Sequence, residues 1–420
     1  MKKNTFPLIL YILIGLIAPL SDAFQPCDSQ PIAPIAQDQW ITIFVHGIIS
    51  IKPHLNFSNF LLWRRDDIAN SVYAKTVELI RKDPFFYQYH AMQPLGLVPV
   101  QFNCFEQGAA SSIFARTFDA LGNYSCNMPT HDYFTYGWSG LLSQRMWHIE
   151  AELFYENLVK LVDQIKSEGK NPRIRIVGYS HGGTFALRLA LFDKGSFAVD
   201  ELWLLGVPVL PESYKFIGHP IFKKIEHYYS YGDRVQRLDC FNNLYSDRIF
   251  HPSKSRQLPE KLTQIQLKFR RPAALKGRKD CSVHKDGCRF FRSRMRNADP
   301  GHSELWSFGW SPASYRSNFP LNPLPAATFL PFFSNVIARE KLHGQHVTFE
   351  VYPEHEFMVV KGEKSKSTEM PFITRSFFNK LKNEALAYKP TCYTAPMFSE
   401  RITRAMEDAR AWVHQEVPKK

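Results

Sequence analysis

The stretch Arg173–Phe192, RIRIVGYSHGGTFALRLALF, does most to limit what this chain can fold into. A short run of alternating β-branched and charged residues meets GYSHGG, and residues that read as helix follow. Gly178 and Gly182 flank Ser180 on either side. A strand that hands over to a helix through a serine in so short a space needs a sharp turn. A unit of this kind needs a sheet beside it, so the other strands come next.

The segment Trp40–His46, WITIFVH, is apolar and β-branched and stops at Gly47, as a buried strand does. Further strands are expected at His131–Gly140, Ile174–Val177, Leu202–Leu205, Ile225–Tyr231 and Leu262–Phe269. Helices are expected at Asn70–Arg81, at Leu141–Ser167 with its stop at Gly169, and at Thr184–Leu191. Strands alternating with helices argue for an α/β fold, a mostly parallel central sheet with helices on both faces. The expected organisation is a leader over 1–23, an α/β domain over 24–310 and a C-terminal extension over 311–420 packed on the core. The domain carries an insertion at about 51–130, suited to covering a site, and a basic, cysteine-bearing insertion at about 270–299. In the extension, His346–Val360 and Met397–Gln415 have strand-like and helix-like patterns.

The leader sets the compartment. Lys2 and Lys3 precede an apolar run from Leu8 to Leu20, and SDAF follows. That is the pattern of a secretory signal cleaved after Ala23, which implies a periplasmic or secreted protein. The run is shorter than the ~20 residues that a spanning helix needs. Export makes the seven cysteines candidates for disulfides, with Cys281–Cys288 and Cys104–Cys126 as reasonable pairs and an odd thiol left over. His343 and His346 lie close together with no evident third ligand, so no metal and no cofactor are expected. The formal charge of +13 comes from scattered basic residues without a nucleic-acid motif. Weak attraction to an anionic membrane surface fits that balance better than nucleic acid. The oligomeric state is left open.

An acyl-transfer site needs an exposed nucleophilic oxygen, a general base and backbone N–H groups facing the developing oxyanion. In a G-x-S-x-G turn the glycines remove side chains that would clash around the serine, and the following helix aims its first N–H groups at the same point. A Gly-rich structural turn is the competing reading of Ser180.

The chain resembles the α/β-hydrolase family of serine lipases and esterases. IRIVGYSHGG is similar to that family's strand–elbow–helix motif, and FVHGI (Phe44–Ile48) to its oxyanion segment. The resemblance implies an oxyanion hole made by the backbone N–H groups of Ile48 and His181, with His46 orienting the loop that carries Gly47. It implies a triad in the order serine, acid, histidine. The acid is expected at Asp233 in HYYSYGDRVQ, with Asp239 and Asp247 as rivals. The base is expected at His302 in DPGHSELW, with His355 in VYPEHEF as the alternative. The expected function is an exported serine hydrolase acting on a small-molecule or lipid-like carboxylic ester. A peptidase or amidase with the same triad, and a non-catalytic binding protein of the same fold, are the competing readings.

Overall fold

Ile41, Ile43 and Val45 pack into one apolar layer, whereas Phe44 between them packs into another. A strand buried on both faces belongs inside a sheet covered on both sides, which is why its sequence reads as a continuous apolar run. The computed structural model describes residues 37–49, 68, 71–88, 94–101, 109–125, 131–237, 246–253, 257–270, 299–310, 315–363, 367–389 and 395–416. The leader, Cys104, Cys126, Cys281, Cys288, Asp239 and most of the basic insertion lie outside the described residues.

The protein is α/β, with one ten-stranded sheet. The strands are β1 (Asp38–Val45), β2 (Gly96–Pro99), β3 (His131–Gly137), β4 (Asn171–Tyr179), β5 (Val199–Leu205), β6 (Ile225–Tyr229), β7 (Leu262–Phe269), β8 (His346–Tyr352), β9 (Phe357–Gly362) and β10 (Thr368–Pro371). Their spatial order is β10-β9-β8-β7-β6-β5-β4-β1-β3-β2. The pairings from β3 across to β8 are parallel. Antiparallel strands finish both edges, β2 on β3 and then β9 and β10 beyond β8.

The helices are α1 (Val72–Lys82), α2 (Ala109–Ser125), α3 (Gln144–Ser167), α4 (His181–Leu187), α5 (Ser213–Phe216), α6 (His302–Trp306), α7 (Leu330–Arg339), α8 (Arg375–Ala387) and α9 (Ala395–Glu416). Serine starts two of them. The Ser71 hydroxyl accepts from the Ala74 N–H at 3.1 Å, and the Ser143 hydroxyl from the Met146 N–H at 3.1 Å. Each satisfies an orphan donor of the first turn. On one face of the sheet α3 buries Trp147, Ala151, Phe154 and Leu158 in a layer with Ile43 and Ile176. On the other, α2 and α7 bring Phe114, Phe118 and Phe333 to Phe44, Trp203 and Tyr228. Side chains of this size stabilise the fold by about 1.5–3 kcal/mol each when fully buried.

Several boundaries differ from the sequence expectation. The strand expected at Ile174–Val177 runs from Asn171 to Tyr179, because β1 pairs with it from Asp38 onward. The strand expected at His131–Gly140 ends at Gly137, where Trp138 turns to donate its indole N–H to the His46 carbonyl at 2.7 Å. The helix expected at Thr184–Leu191 starts at His181 and tightens to a 3-10 turn over Arg188–Leu191. Residues 311–420 do more than pack on a finished core, since β8, β9 and β10 continue the same sheet.

The chain passes from β1 to β3 on one side and then to β4 on the other, so the order reverses between β1 and β4. In open α/β sheets the carboxyl ends of the strands at such a reversal form the crevice where ligands bind. Val45 of β1 is level with Gly178 of β4, Tyr179 of β4 with Leu205 of β5, and Leu205 with Tyr228 of β6. The segments that follow these strands therefore leave the sheet side by side.

Candidate active site

Ser180 lies between the last residue of β4 and the first of α4, with φ 52° and ψ −135°. An L-residue held at positive φ is strained, and such strain persists only where surrounding structure enforces it. Two approaches enforce it here. A Cβ on Gly182 would sit 2.2 Å from the His46 carbonyl oxygen, and one on Gly178 would sit 2.6 Å from the Gly183 Cα. Helix α4 is thereby drawn against both β1 and the turn it leaves. Gly47 is equally close to the elbow, its position for a Cβ lying 2.9 Å from the Ser180 Cβ.

Asp233 follows β6 and is fully buried. Its Oδ1 accepts the Val235 N–H at 2.9 Å and the Gln236 N–H at 3.3 Å, which turns the other oxygen outward. Arg248 donates to the Asp233 carbonyl at 2.8 Å and so fixes the same turn from the far side. His302 is the first residue of α6. Glu304 reaches back to accept the Gly301 N–H at 2.7 Å, half of a capping box. Arg316 donates to the Asp299 carbonyl at 2.8 Å, and Arg270 pairs with the Asp299 carboxylate at 2.6 Å. The loop before His302 is therefore tied to two neighbouring segments.

These three elements bring Ser180, His302 and Asp233 into one line. His302 Nε2 lies 3.0 Å from Ser180 Oγ, and His302 Nδ1 lies 2.7 Å from Asp233 Oδ2. A carboxylate can only accept, so the imidazole proton sits on Nδ1 and the Nε2 lone pair faces the serine hydroxyl. The imidazole lies tilted against the Tyr179 ring at 4.8 Å, and Tyr179 donates its hydroxyl proton to the His302 carbonyl at 3.0 Å. Trp306 lies parallel to the tyrosine ring at 5.2 Å. Gly206, after β5, has φ +60°, and a Cβ there would meet Leu305, then the Asp233 carboxylate at 3.2 Å. Only glycine lets β5 pass so close beneath the Asp233–His302 pair.

The alternative histidine is elsewhere. His355 is exposed on the 3-10 turn between β8 and β9, and the position between Ser180 and Asp233 is held by His302. Asp247 forms an isolated bridge with Val209 and is exposed. His181 is buried in α4 against the Trp147 ring at 4.9 Å. Burial pulls its pKa down to about 3, and the nearby His302 pushes in the same direction, so the imidazole is neutral.

The segment 46–49 is tied on both sides. Trp138 holds the His46 carbonyl, and the Ile49 N–H donates to the Gly140 carbonyl at 3.0 Å. The His46 side chain is engaged at both nitrogens, with Nδ1 2.6 Å from the Gly47 carbonyl oxygen and Nε2 3.0 Å from Arg81 Nη1. Tyr179, Gly206, Trp138 and Arg81 were not singled out in the sequence. Tyr179 and Gly206 adjoin the elbow and a strand end, where their proximity to Ser180 and Asp233 could have been suspected. Arg81 carries no such signal, being one more cation in the last turn of a helix.

Among the described residues no group of three or more histidine, cysteine, aspartate or glutamate side chains could hold a metal ion. His346, considered above as a ligand, lies with Nε2 at 2.5 Å from the Tyr229 hydroxyl. No helix among the described residues is long and apolar enough to cross a membrane. In comparisons with known proteins, neither a protein-family model nor a curated protein matches the chain.

Proposed function

We propose that this protein is an exported serine hydrolase with the α/β-hydrolase architecture, cleaving carboxylic, lipid-like esters through an acyl-enzyme. The observation that carries the proposal is the continuous Ser180–His302–Asp233 line, 3.0 and 2.7 Å per link, with the serine on a strained strand-to-helix turn. Nucleophile, base and orienting acid at hydrogen-bond reach are what activation of a hydroxyl requires. Their source on three separate elements argues against coincidence of sequence.

In this reading Ser180 Oγ attacks the acyl carbon while His302 Nε2 takes its proton. The Nδ1–H bond to Asp233 fixes the tautomer and stabilises the imidazolium that forms. The backbone N–H groups of Ile48 and His181 receive the oxyanion, a contribution of about 3 kcal/mol per donor in sites of this kind. His302 then gives its proton to the departing alkoxide, leaving the acyl group on Ser180. Water attacks this ester with the same histidine as base and releases the acid. His181 supplies its N–H and stays neutral beside His302, so it adds no repelling charge as the imidazolium forms.

The lipid-like substrate is inferred from the resemblance to serine lipases and esterases and from the aromatic-rich segment 51–130. Tyr179, Trp306, Phe44 and Phe114 form a continuous set of buried ring contacts that packs the core behind His302. The test is hydrolysis of p-nitrophenyl esters of increasing chain length alongside peptide and amide substrates. Turnover of medium or long esters, abolished in His302→Gln and cut by about 10⁴-fold in Asp233→Asn, is the expected result. Preference for amides would select the peptidase reading, and no turnover of any acyl substrate would select the binding protein.

A further inference from the structure

Arg81 lies in the last turn of α1, outside the strands that carry the triad, yet its guanidinium reaches the oxyanion segment. A guanidinium has donors only. His46 Nε2, 3.0 Å away, must therefore be the acceptor, and the His46 proton resides on Nδ1. That proton points at the Gly47 carbonyl oxygen, 2.6 Å from Nδ1. In a trans peptide the carbonyl and the following N–H point in opposite directions. Fixing the Gly47 oxygen therefore fixes the direction of the Ile48 N–H.

From this chain of contacts we infer that Arg81 is a positioning residue for the oxyanion hole, acting through His46 to hold the Gly47–Ile48 peptide in one orientation. The inference rests on the hydrolase reading above for its catalytic consequence, while its structural half stands on the contacts alone. Without Arg81 the imidazole can carry its proton on Nε2, and a bare Nδ1 lone pair would then face the Gly47 oxygen. Two acceptors repel, and the Gly47–Ile48 peptide loses the contact that sets its orientation between the ties at His46 and Ile49.

The surroundings keep Arg81 where it is. It is buried, beside the Glu150 carboxylate that accepts from the Ser139 N–H at 2.9 Å. Tyr87 donates its hydroxyl proton to the Arg81 carbonyl. Burial pulls the guanidinium pKa down to about 10, so it keeps its charge at neutral pH, and the nearby Glu150 works against the burial. Tyr73, on the same helix, accepts the Leu142 N–H at 3.1 Å and ties α1 to the loop that holds Ile49.

The test pairs kinetics with the imidazole proton. Long-range proton–nitrogen NMR of histidine-labelled protein, with the His46 signal identified by its loss in His46→Ala, reads the tautomer directly. The expected wild-type state is Nδ1–H, mixed or reversed in Arg81→Met. With active sites counted by covalent titration of Ser180, Arg81→Met should lose about 10–100-fold in kcat with KM within twofold, and Arg81→Lys should recover part of the loss. A misfolded fraction would lower the count of sites and leave kcat per site unchanged. An Nε2–H tautomer in the wild type, or wild-type kcat per site in Arg81→Met, would overturn the inference. If the wild type hydrolyses no ester, the hydrolase reading falls, and the tautomer alone still decides for or against the Arg81–His46–Gly47 pin.

Discussion

The serine turn and segment 46–49 lie against each other, yet they are held by different means. The residues that make the elbow are local, since Gly178, Ser180, Gly182 and Gly183 fall within six residues of chain, with Gly178 packed on Gly183 and Gly182 on the His46 carbonyl. Segment 46–49 owes its position to distant residues: Trp138 and Gly140 after β3, and Arg81 at the end of α1. A turn built from glycines either forms or fails. A loop pinned by side chains can be loosened by degrees. Damage to the first should therefore abolish chemistry, and damage to the second should scale it.

The largest contrast comes from the nucleophile. Ser180→Ala should lower kcat by roughly 10⁵–10⁶-fold, the cost of nucleophile loss in a comparable triad. Its melting temperature should match or exceed that of the wild type, because alanine removes no buried packing. Gly182→Ala should lose both properties. Its Cβ would stand 2.2 Å from the His46 carbonyl, where neither backbone can yield cheaply, so a loss of about 2–3 kcal/mol is expected in denaturant unfolding. Soluble Gly182→Ala with wild-type turnover would break the contrast at its root.

Smaller effects are expected one step further out. Helix α9 lies along α1, with Phe398 against Phe86 at 5.4 Å, Arg401 paired to Asp83 at 2.6 Å and Lys75 over the Trp412 ring at 4.5 Å. Phe398→Ala should cost about 1–2 kcal/mol, less than a fully buried phenylalanine because this one is half-buried. Turnover should fall by no more than a few-fold. A loss equal to that of Arg81→Met would mean that α9, not Arg81, governs segment 46–49.

The smallest effect is one of pH. Burial lowers the pKa of His181 to about 3 and of His227 to about 4, against about 6.5 in an unfolded chain. Between those values the unfolded state binds the protons, so the stability these groups contribute is full above about pH 6.5 and is lost as pH falls through the folded values. The buried Asp299 and the half-buried Asp119 and Glu150 have carboxyl pKa values raised by desolvation and act in the opposite sense. The clean readout is therefore a difference. His227→Gln should show a shallower fall in unfolding free energy from pH 6.5 to 4 than the wild type, and an identical slope would contradict the assignment.

The sequence made the elbow-bearing region legible because its constraints are short-range. Glycine spacing marks Ser180, strand ends mark Asp233, and chain order places His302 after both. The competing His355 shares the same local appearance, a histidine after a strand, and only the sheet order separates them: β8 lies four strands from β4, with β5, β6 and β7 between. Helix α2 falls within the expected insertion at 51–130, where small residues such as Ala109, Ala110, Ser111 and Ser112 carry no apolar stripe to mark a helix. Strand β10, TEMP, has too few apolar residues to announce a pairing. Arg81 was invisible for a deeper reason, since a cation at a helix C-terminus satisfies the dipole wherever its side chain points.

The most direct measurement of the central claim is the intact mass of the folded protein after exposure to a fluorophosphonate. One adduct per wild-type chain, located on Ser180 by peptide mapping, none on Ser180→Ala and much slower addition to His302→Gln is the predicted result. An unmodified wild-type protein, or an adduct that persists in Ser180→Ala, would contradict the assignment of Ser180 as a histidine-activated nucleophile.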